Sequence, residues 1–240
     1  MSTRWLTLGK NISIAVSKTH TFGTDAVLLA HFSAPRNGDS ACDLGTGCGI
    51  IPLLWARDEL AISVMGIDCQ DDAIALANES LSHLHTPTSL HFITADFREW
   101  TTNQAFSLIV SNPPYFPENE SRNAHSTERN MARRDGIGCT FADICQTAAR
   151  LLDDHGRFCF CHRPEYVEKL VAQLKESGLY LQKTVTVFHD ESKAPFLWLC
   201  EATKTPSETY SCTNWILHEN GEPSPLYKQI YAPFFEENSL

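Results

Sequence analysis

The chain predicts an α/β fold built on a doubly wound, mostly parallel sheet with an antiparallel strand near its C-terminus. Three observations predict it. Apolar runs of strand length alternate with amphipathic stretches of helix length. Glycines fall at every second position in Gly45-Thr46-Gly47-Cys48-Gly49, between the first of those strands and its helix. Successive strands close on acids, at Asp43, Asp68 and Asp96. In an open α/β sheet, ligands bind beyond the carboxyl ends of the strands.

Composition sets the outer bounds. The chain has 240 residues, 42% of them hydrophobic, which suffices for one sizeable domain spanning residues 1–240. Within it, residues 1–22 read as an N-terminal hairpin segment and residues 205–240 as a C-terminal extension. The sequence has no apolar run of transmembrane length and no signal peptide, so a cytoplasmic protein without a membrane is expected. The nine cysteines are scattered and lie mostly in apolar runs, which predicts buried, reduced thiols. No C-x-x-C pair occurs, and no metal site is expected. A formal net charge of −10 argues against a broad phosphate-binding face but leaves room for a local basic patch.

The elements follow in order. Trp5 to Ser17 alternate polar and apolar residues around Gly9-Lys10-Asn11, the pattern of a β-hairpin. Phe22-Gly23-Thr24-Asp25 then starts a helix, with Thr24 as its N-cap, Asp25 at the positive end of the dipole and Pro35 beyond its end. The Phe22-Gly23-Thr24 turn could close over a ligand. Ala41 to Leu44 is a strand entering the glycine loop, and Pro52 lies in the first turn of the next helix. The G-x-G-x-G spacing differs from the G-x-G-x-x-G of dinucleotide sites. Asp43 would repel a pyrophosphate and favour a cationic or amino-bearing ligand.

Ile62 to Asp68 reads as the second strand, and Asp68 is placed to accept the hydroxyls of a ribose. Ile74, Ala77 and Leu81 form the sheet-facing stripe of the helix after it. Leu90 to Phe97 reads as the third strand; Asp96 could accept from an adenine amine, with Phe97 against the ring. Phe106 to Val110 is the fourth. Thr140 to Leu152 reads as an amphipathic helix closed by the turn Asp153-Asp154-His155-Gly156, with a fifth strand over Arg157 to Cys161. His162 and Arg163 read as exposed turn residues before a helix over Glu165 to Ser177, with Gly178 as its C′ residue. Leu179 to Phe188 and Pro195 to Ala202 read as two antiparallel strands. The tail holds a strand at Asn214 to His218 and a short helix at Leu226 to Tyr231, and its aromatics suggest docking.

The chemistry centres on Ser111-Asn112-Pro113-Pro114-Tyr115 at the end of the fourth strand. The two prolines cannot donate to a ladder, and they hold Asn112 extended. A planar exocyclic amine is a poor nucleophile because its lone pair is delocalised. The Asn112 side-chain oxygen and the Pro113 carbonyl can hold its hydrogens while the nitrogen becomes tetrahedral. Tyr115 can stack on the ring that carries the amine. No strong base is needed, since the nitrogen proton becomes acidic on alkylation. The polar loop from Pro117 to Gly138 carries Arg122, Arg129, Arg133 and Arg134. It reads either as solvated surface or as a grip on substrate phosphates, and its place after the platform favours the grip.

Taken together, Asp43-Leu44-Gly45-Thr46-Gly47-Cys48-Gly49 and Asn112-Pro113-Pro114-Tyr115 resemble the motifs of the class I S-adenosylmethionine-dependent methyltransferases that act on amines. Phe22 to Ala30, Phe116 after the platform, and His162-Arg163-Pro164-Glu165 are similar to the bacterial tRNA(valine) adenine-N6 methyltransferases. One departure is Arg134-Asp135, where relatives carry His-Glu. The resemblance implies a Rossmann-like, seven-stranded sheet, S-adenosylmethionine as cofactor and tRNA as partner, with adenine 37 as the target. It implies that Asp43, Gly45 and Gly47 line the methionine part of the cofactor, Asp68 its ribose, and Asp96 and Phe97 its adenine. Thr24 would help close that pocket. Asn112, Pro113, Pro114 and Tyr115 would hold the target amine, with Asn112 also bordering the cofactor. Arg133, Arg134 and Arg163 would meet the RNA. Two other functions fit the residues: methylation of a protein glutamine amide, and a non-catalytic RNA-binding module.

Overall fold

The structure is a computed structural model, and it describes residues 3–10, 12–113 and 139–235. The hairpin is β1 (Arg4–Gly9) and β2 (Ile12–Val16), followed by α1 (Thr24–Ser33). Then come β3 (Ser40–Leu44), α2 (Ile50–Arg57), β4 (Ser63–Asp68), α3 (Asp71–Leu81), β5 (Ser89–Thr94) and β6 (Phe106–Ser111). After these lie α4 (Phe141–Leu151), β7 (Leu152–His162), a 3-10 turn (Pro164–Tyr166) and α5 (Val167–Glu176). The chain continues through β8 (Tyr180–Asp190) and β9 (Leu197–Thr203) to the tail elements β10 (Ser211–Glu219), β11 (Glu222–Pro223) and α6 (Pro225–Tyr231).

The main sheet has nine strands in the order β11-β10-β8-β9-β7-β6-β3-β4-β5. The seven from β8 to β5 in that order are the expected Rossmann-like sheet, and β9 is the antiparallel strand, paired with both β7 and β8. The tail contributes the other two: β10 lies parallel to β8, and β11 turns back on β10. From β3 the chain steps outward through β4 to β5, then crosses back to β6 on the other side of β3. That reversal between β3 and β6 is a topological switch point, where such sheets open a crevice.

The central strands are buried on both faces, which is why β6 reads as an unbroken apolar run. Leu108, Ile109 and Val110 are all fully buried. Leu108 and Val110 join one core with the hairpin, α1, α2 and α3. Ile109 joins the other, with α4, α5 and the aromatic group Phe106, Phe158, Phe160 and Trp198. Each large apolar side chain buried this way contributes about 1.5–3 kcal/mol. Arg157 ties the first layer to the sheet. Its guanidinium donates to the carbonyls of Ser33 and Ala34 at the end of α1, at 2.6 and 2.9 Å, and pairs with Glu201 at 3.3 Å.

Four local expectations are corrected. Gly23, not Thr24, is the N-cap of α1; it has extended backbone, and Thr24 is the first helical residue. The third strand ends at Thr94, so Asp96 lies in the following turn, whose amide Arg98 N–H it accepts at 3.0 Å. Asp153 to Gly156 is part of β7 rather than a turn: Phe106 pairs with Leu152, Leu108 with Arg157, and the surplus residues are absorbed as an irregularity. His162 is buried, because β7 runs on to pair it with Trp198. Its ring meets Phe141 and Tyr166 edge-on, while Arg163 beside it is exposed as expected. Gly178 is the C′ residue, with φ +75°, and Leu179 N–H reaches back to the Leu174 carbonyl at 2.9 Å.

Candidate active site

The carboxyl ends of β6, β3 and β4 bring Asn112, Asp43 and Asp68 to one edge of the sheet. The glycine loop is fixed from below by backbone pairing. Gly45 and Thr46 both donate their amides to the Ile67 carbonyl, at 2.8 and 3.0 Å. Gly47 adopts φ +56° and turns its amide onto Asp68 Oδ2 at 2.9 Å. The other Asp68 oxygen accepts from Gln70 N–H at 3.0 Å, at the start of α3. Asp68 thus closes the loop and fixes the chain entering the next helix, with one further lone pair on each oxygen.

Asp43 is buried beneath this loop. Thr46 Oγ1 donates to its Oδ2 at 2.7 Å, while Oδ1 is buried without a hydrogen-bond partner among the described residues. Burial pushes the carboxyl up to about 7, opposed by the Thr46 hydrogen bond and assisted by the nearby Asp68 charge. An unpaired buried carboxylate oxygen is costly unless a ligand supplies the donor or the cation.

Asn112 follows the last ladder residue of β6, Ser111. Ser111 is buried and donates its hydroxyl to the Leu44 carbonyl at 2.8 Å, across the switch point. The start of the platform is therefore fastened to the mouth of the glycine loop. Asn112 is half-buried and Pro113 buried. Asn112 Oδ1 accepts from Cys161 Sγ at 3.0 Å. Asp96 is engaged by Arg98, whose Nε and Nη2 donate to its two oxygens at 2.8 and 2.5 Å. Phe97 packs partly buried against the aromatic core. Thr24 is exposed and lies near the Tyr231 phenol of the tail helix. Pro114, Tyr115, Arg133 and Arg134 lie outside the described residues.

Comparison with known proteins adds an independent line. Residues 17–134 match the methyltransferase small domain. The chain is 31% identical over 214 residues to a tRNA1(Val) (adenine(37)-N6)-methyltransferase of Tolumonas auensis, covering 89% of each chain. It is 30% identical over 215 residues to the protein of the same description in Actinobacillus pleuropneumoniae, covering 88% of this chain and 89% of that one. The chain belongs to the tRNA1(Val) (adenine(37)-N6)-methyltransferase family. The fold agrees with that of a Listeria monocytogenes protein assigned to the class I S-adenosylmethionine-dependent methyltransferases. The TM-score is 0.60 at 14% identity, over 91% of this chain and 73% of that one.

The protein is a methyltransferase. The residues present fit S-adenosylmethionine as a methyl donor. The unpartnered Asp43 oxygen suits an ammonium or sulfonium group. A Cβ added at Gly45 or Gly47 would meet open space, so the loop offers its backbone to a ligand. Among the described residues no cluster of His, Cys, Asp and Glu could hold a metal ion. No described helix is long and apolar enough to cross a membrane.

Sequence reasoning brought Asp43, Asp68 and Asn112 to one edge but missed their supports. Thr46 stands three residues from Asp43 and was legible as a local partner. Gly66 was overlooked: it makes room for the Phe92 ring and Thr46 Oγ1, which a Cβ would meet at 2.5 and 2.9 Å. Ser111 and Cys161 act across strands, at separations of 67 and 49 residues, and carried no signal in the sequence.

Proposed function

We propose that this enzyme methylates the N6 amine of an adenine in tRNA, adenine 37 of tRNA(valine), in the cytoplasm. The observation that carries the reading is the Ser111–Leu44 hydrogen bond at 2.8 Å, which fastens Asn112-Pro113 beside the glycine loop at the switch point. On this reading, amine platform and cofactor cradle lie side by side at that edge of the sheet. The names of the relatives support the choice of substrate.

S-adenosylmethionine supplies the methyl group as a sulfonium electrophile. Asp43 would hold its amino-bearing end, with Gly45 and Gly47 offering backbone. Asp68 would accept from the ribose, beside the amides it already binds. Asp96 and Phe97 would border the adenine, and Thr24 the rim of the pocket. Asn112 and Pro113 would accept the hydrogens of the target amine, with Pro114 and Tyr115 completing the platform. Alignment of this kind lowers barriers by roughly 7–11 kcal/mol. Extruding the target adenine costs a few kcal/mol, which Arg133, Arg134 and Arg163 would help offset through phosphate contacts.

An unmodified tRNA(valine) transcript incubated with enzyme and methyl-labelled cofactor tests the reading. Label is expected in N6-methyladenosine and is expected to vanish when adenine 37 is replaced by guanine. Label that persists in the guanine transcript, or that enters a protein glutamine instead, overturns it.

A further inference from the structure

The Asn112 amide needs to be held in one orientation, and among the described residues no backbone hydrogen bond holds it. The β6 ladder ends at Ser111, whose register partner on β7 is Phe160. The side-chain torsion that rotates an asparagine amide is broad and roughly two-fold, so oxygen and nitrogen exchange places easily. With its NH2 turned towards a substrate amine, Asn112 would set donor against donor. One residue past Phe160 stands Cys161, fully buried and paired with Leu199 of β9. Its Sγ lies 3.0 Å from Asn112 Oδ1.

We propose that Cys161 is a positioning residue for the methyl-transfer reaction: its thiol fixes the Asn112 amide with one oxygen lone pair engaged and the other directed at the incoming amine. The thiol is an S–H donor at a site where the oxygen has two lone pairs to share. Its position is set by a ladder with β9, so the contact is rigid. The thiol touches neither substrate nor cofactor in this account, and it acts through Asn112. The inference rests on the reading of Asn112 as the amine acceptor.

The test uses the full-length enzyme, S-adenosylmethionine and a tRNA(valine) transcript. Cys161→Val keeps bulk without a hydrogen bond, and Cys161→Ser keeps the donor. Cys161→Val is expected to lower kcat about three- to tenfold, the effect of one modest hydrogen bond. KM for tRNA and calorimetric Kd for S-adenosylmethionine should stay at wild-type values. Cys161→Ser should recover most of the lost rate. In single turnover on an Asn112→Ala background, Cys161→Val should cost nothing more, because the group it positions is gone. If Cys161→Val does not fold by melting curve, Cys161→Ala takes its place. Wild-type kcat in the valine or alanine variant overturns the inference, as does a serine variant no faster than either. Wild-type turnover by Asn112→Ala would instead sink the reading of Asn112 itself. A dead Asn112→Ala beside a fully active Cys161→Val would sink the thiol's role alone.

Discussion

The two halves of the site are built by different means. On the β3–β4 side, Asp68 is held by the backbone, through the Gly47 and Gln70 amides, and Asp43 by the hydroxyl of Thr46 in the same loop. On the β6–β7 side, the platform is held by side chains reaching across strands, Ser111 to Leu44 and Cys161 to Asn112. The first arrangement fixes a charge in place, and the loop geometry that does so requires glycine. The second fixes the direction of a neutral amide, and any well-placed donor serves. The cradle should therefore fail when charge or backbone is altered, and the platform when a hydrogen-bonding direction is lost.

The largest expected effect is on the platform. Asn112→Ala should lower kcat about 10²- to 10³-fold, the size seen when one preorganised polar group is removed from a reaction centre. Cofactor Kd by calorimetry should change by only a few fold. The mirror-image result belongs to the cradle. Asp43→Asn should weaken S-adenosylmethionine binding by about 100-fold, while the cofactor-free protein melts higher than wild type at pH 8. The sign follows from burial: the folded carboxyl binds its proton up to about 7, against an ordinary value of 3.8. Raising the pH through that window therefore weakens the fold, and an uncharged amide removes the cost. If both variants lose cofactor affinity equally, the division between the halves is wrong.

Gly66→Ala should cost about 1–3 kcal/mol in stability, because the added methyl meets the Phe92 ring and Thr46. Denaturant unfolding measures it, and an unchanged midpoint would show that Phe92 simply moves aside. The smallest effect is the pH dependence of binding. Because Asp43 titrates near 7, cofactor affinity in the wild type should fall towards tenfold per unit as the pH drops below that value. Asp43→Asn should flatten this slope.

The same division explains what was legible in the sequence. The glycine spacing and the acids at strand ends are local signals, and they point to the sheet and to the strand-end positions of Asp43 and Asp68. Local polarity misled where tertiary pairing prevailed. Asp153-Asp154-His155-Gly156 has turn composition, yet β6 recruits it into the sheet with a register shift. His162 looked exposed until its pairing with Trp198 was visible. The tail's strand and short helix are legible in the sequence, but their place is not, because nothing local says which edge a strand will choose. It extends the sheet beside β8, stacks Tyr227 on Tyr231 at 4.4 Å, and sets the Phe234 ring beneath Arg57. Its Pro233 carbonyl sits where a side chain at Gly9 would stand, so hairpin and tail are fitted to each other.

The central claim is that amine platform and methyl-donor cradle act together on one adenine. Nucleoside mass spectrometry of purified tRNA(valine), from cells with and without this gene, tests it most directly. The account predicts N6-methyladenosine at position 37 in the parent, its loss in the deletion, and its return with the wild-type gene but not with Asn112→Ala. An unchanged nucleoside profile in the deletion, or full restoration by Asn112→Ala, would contradict it.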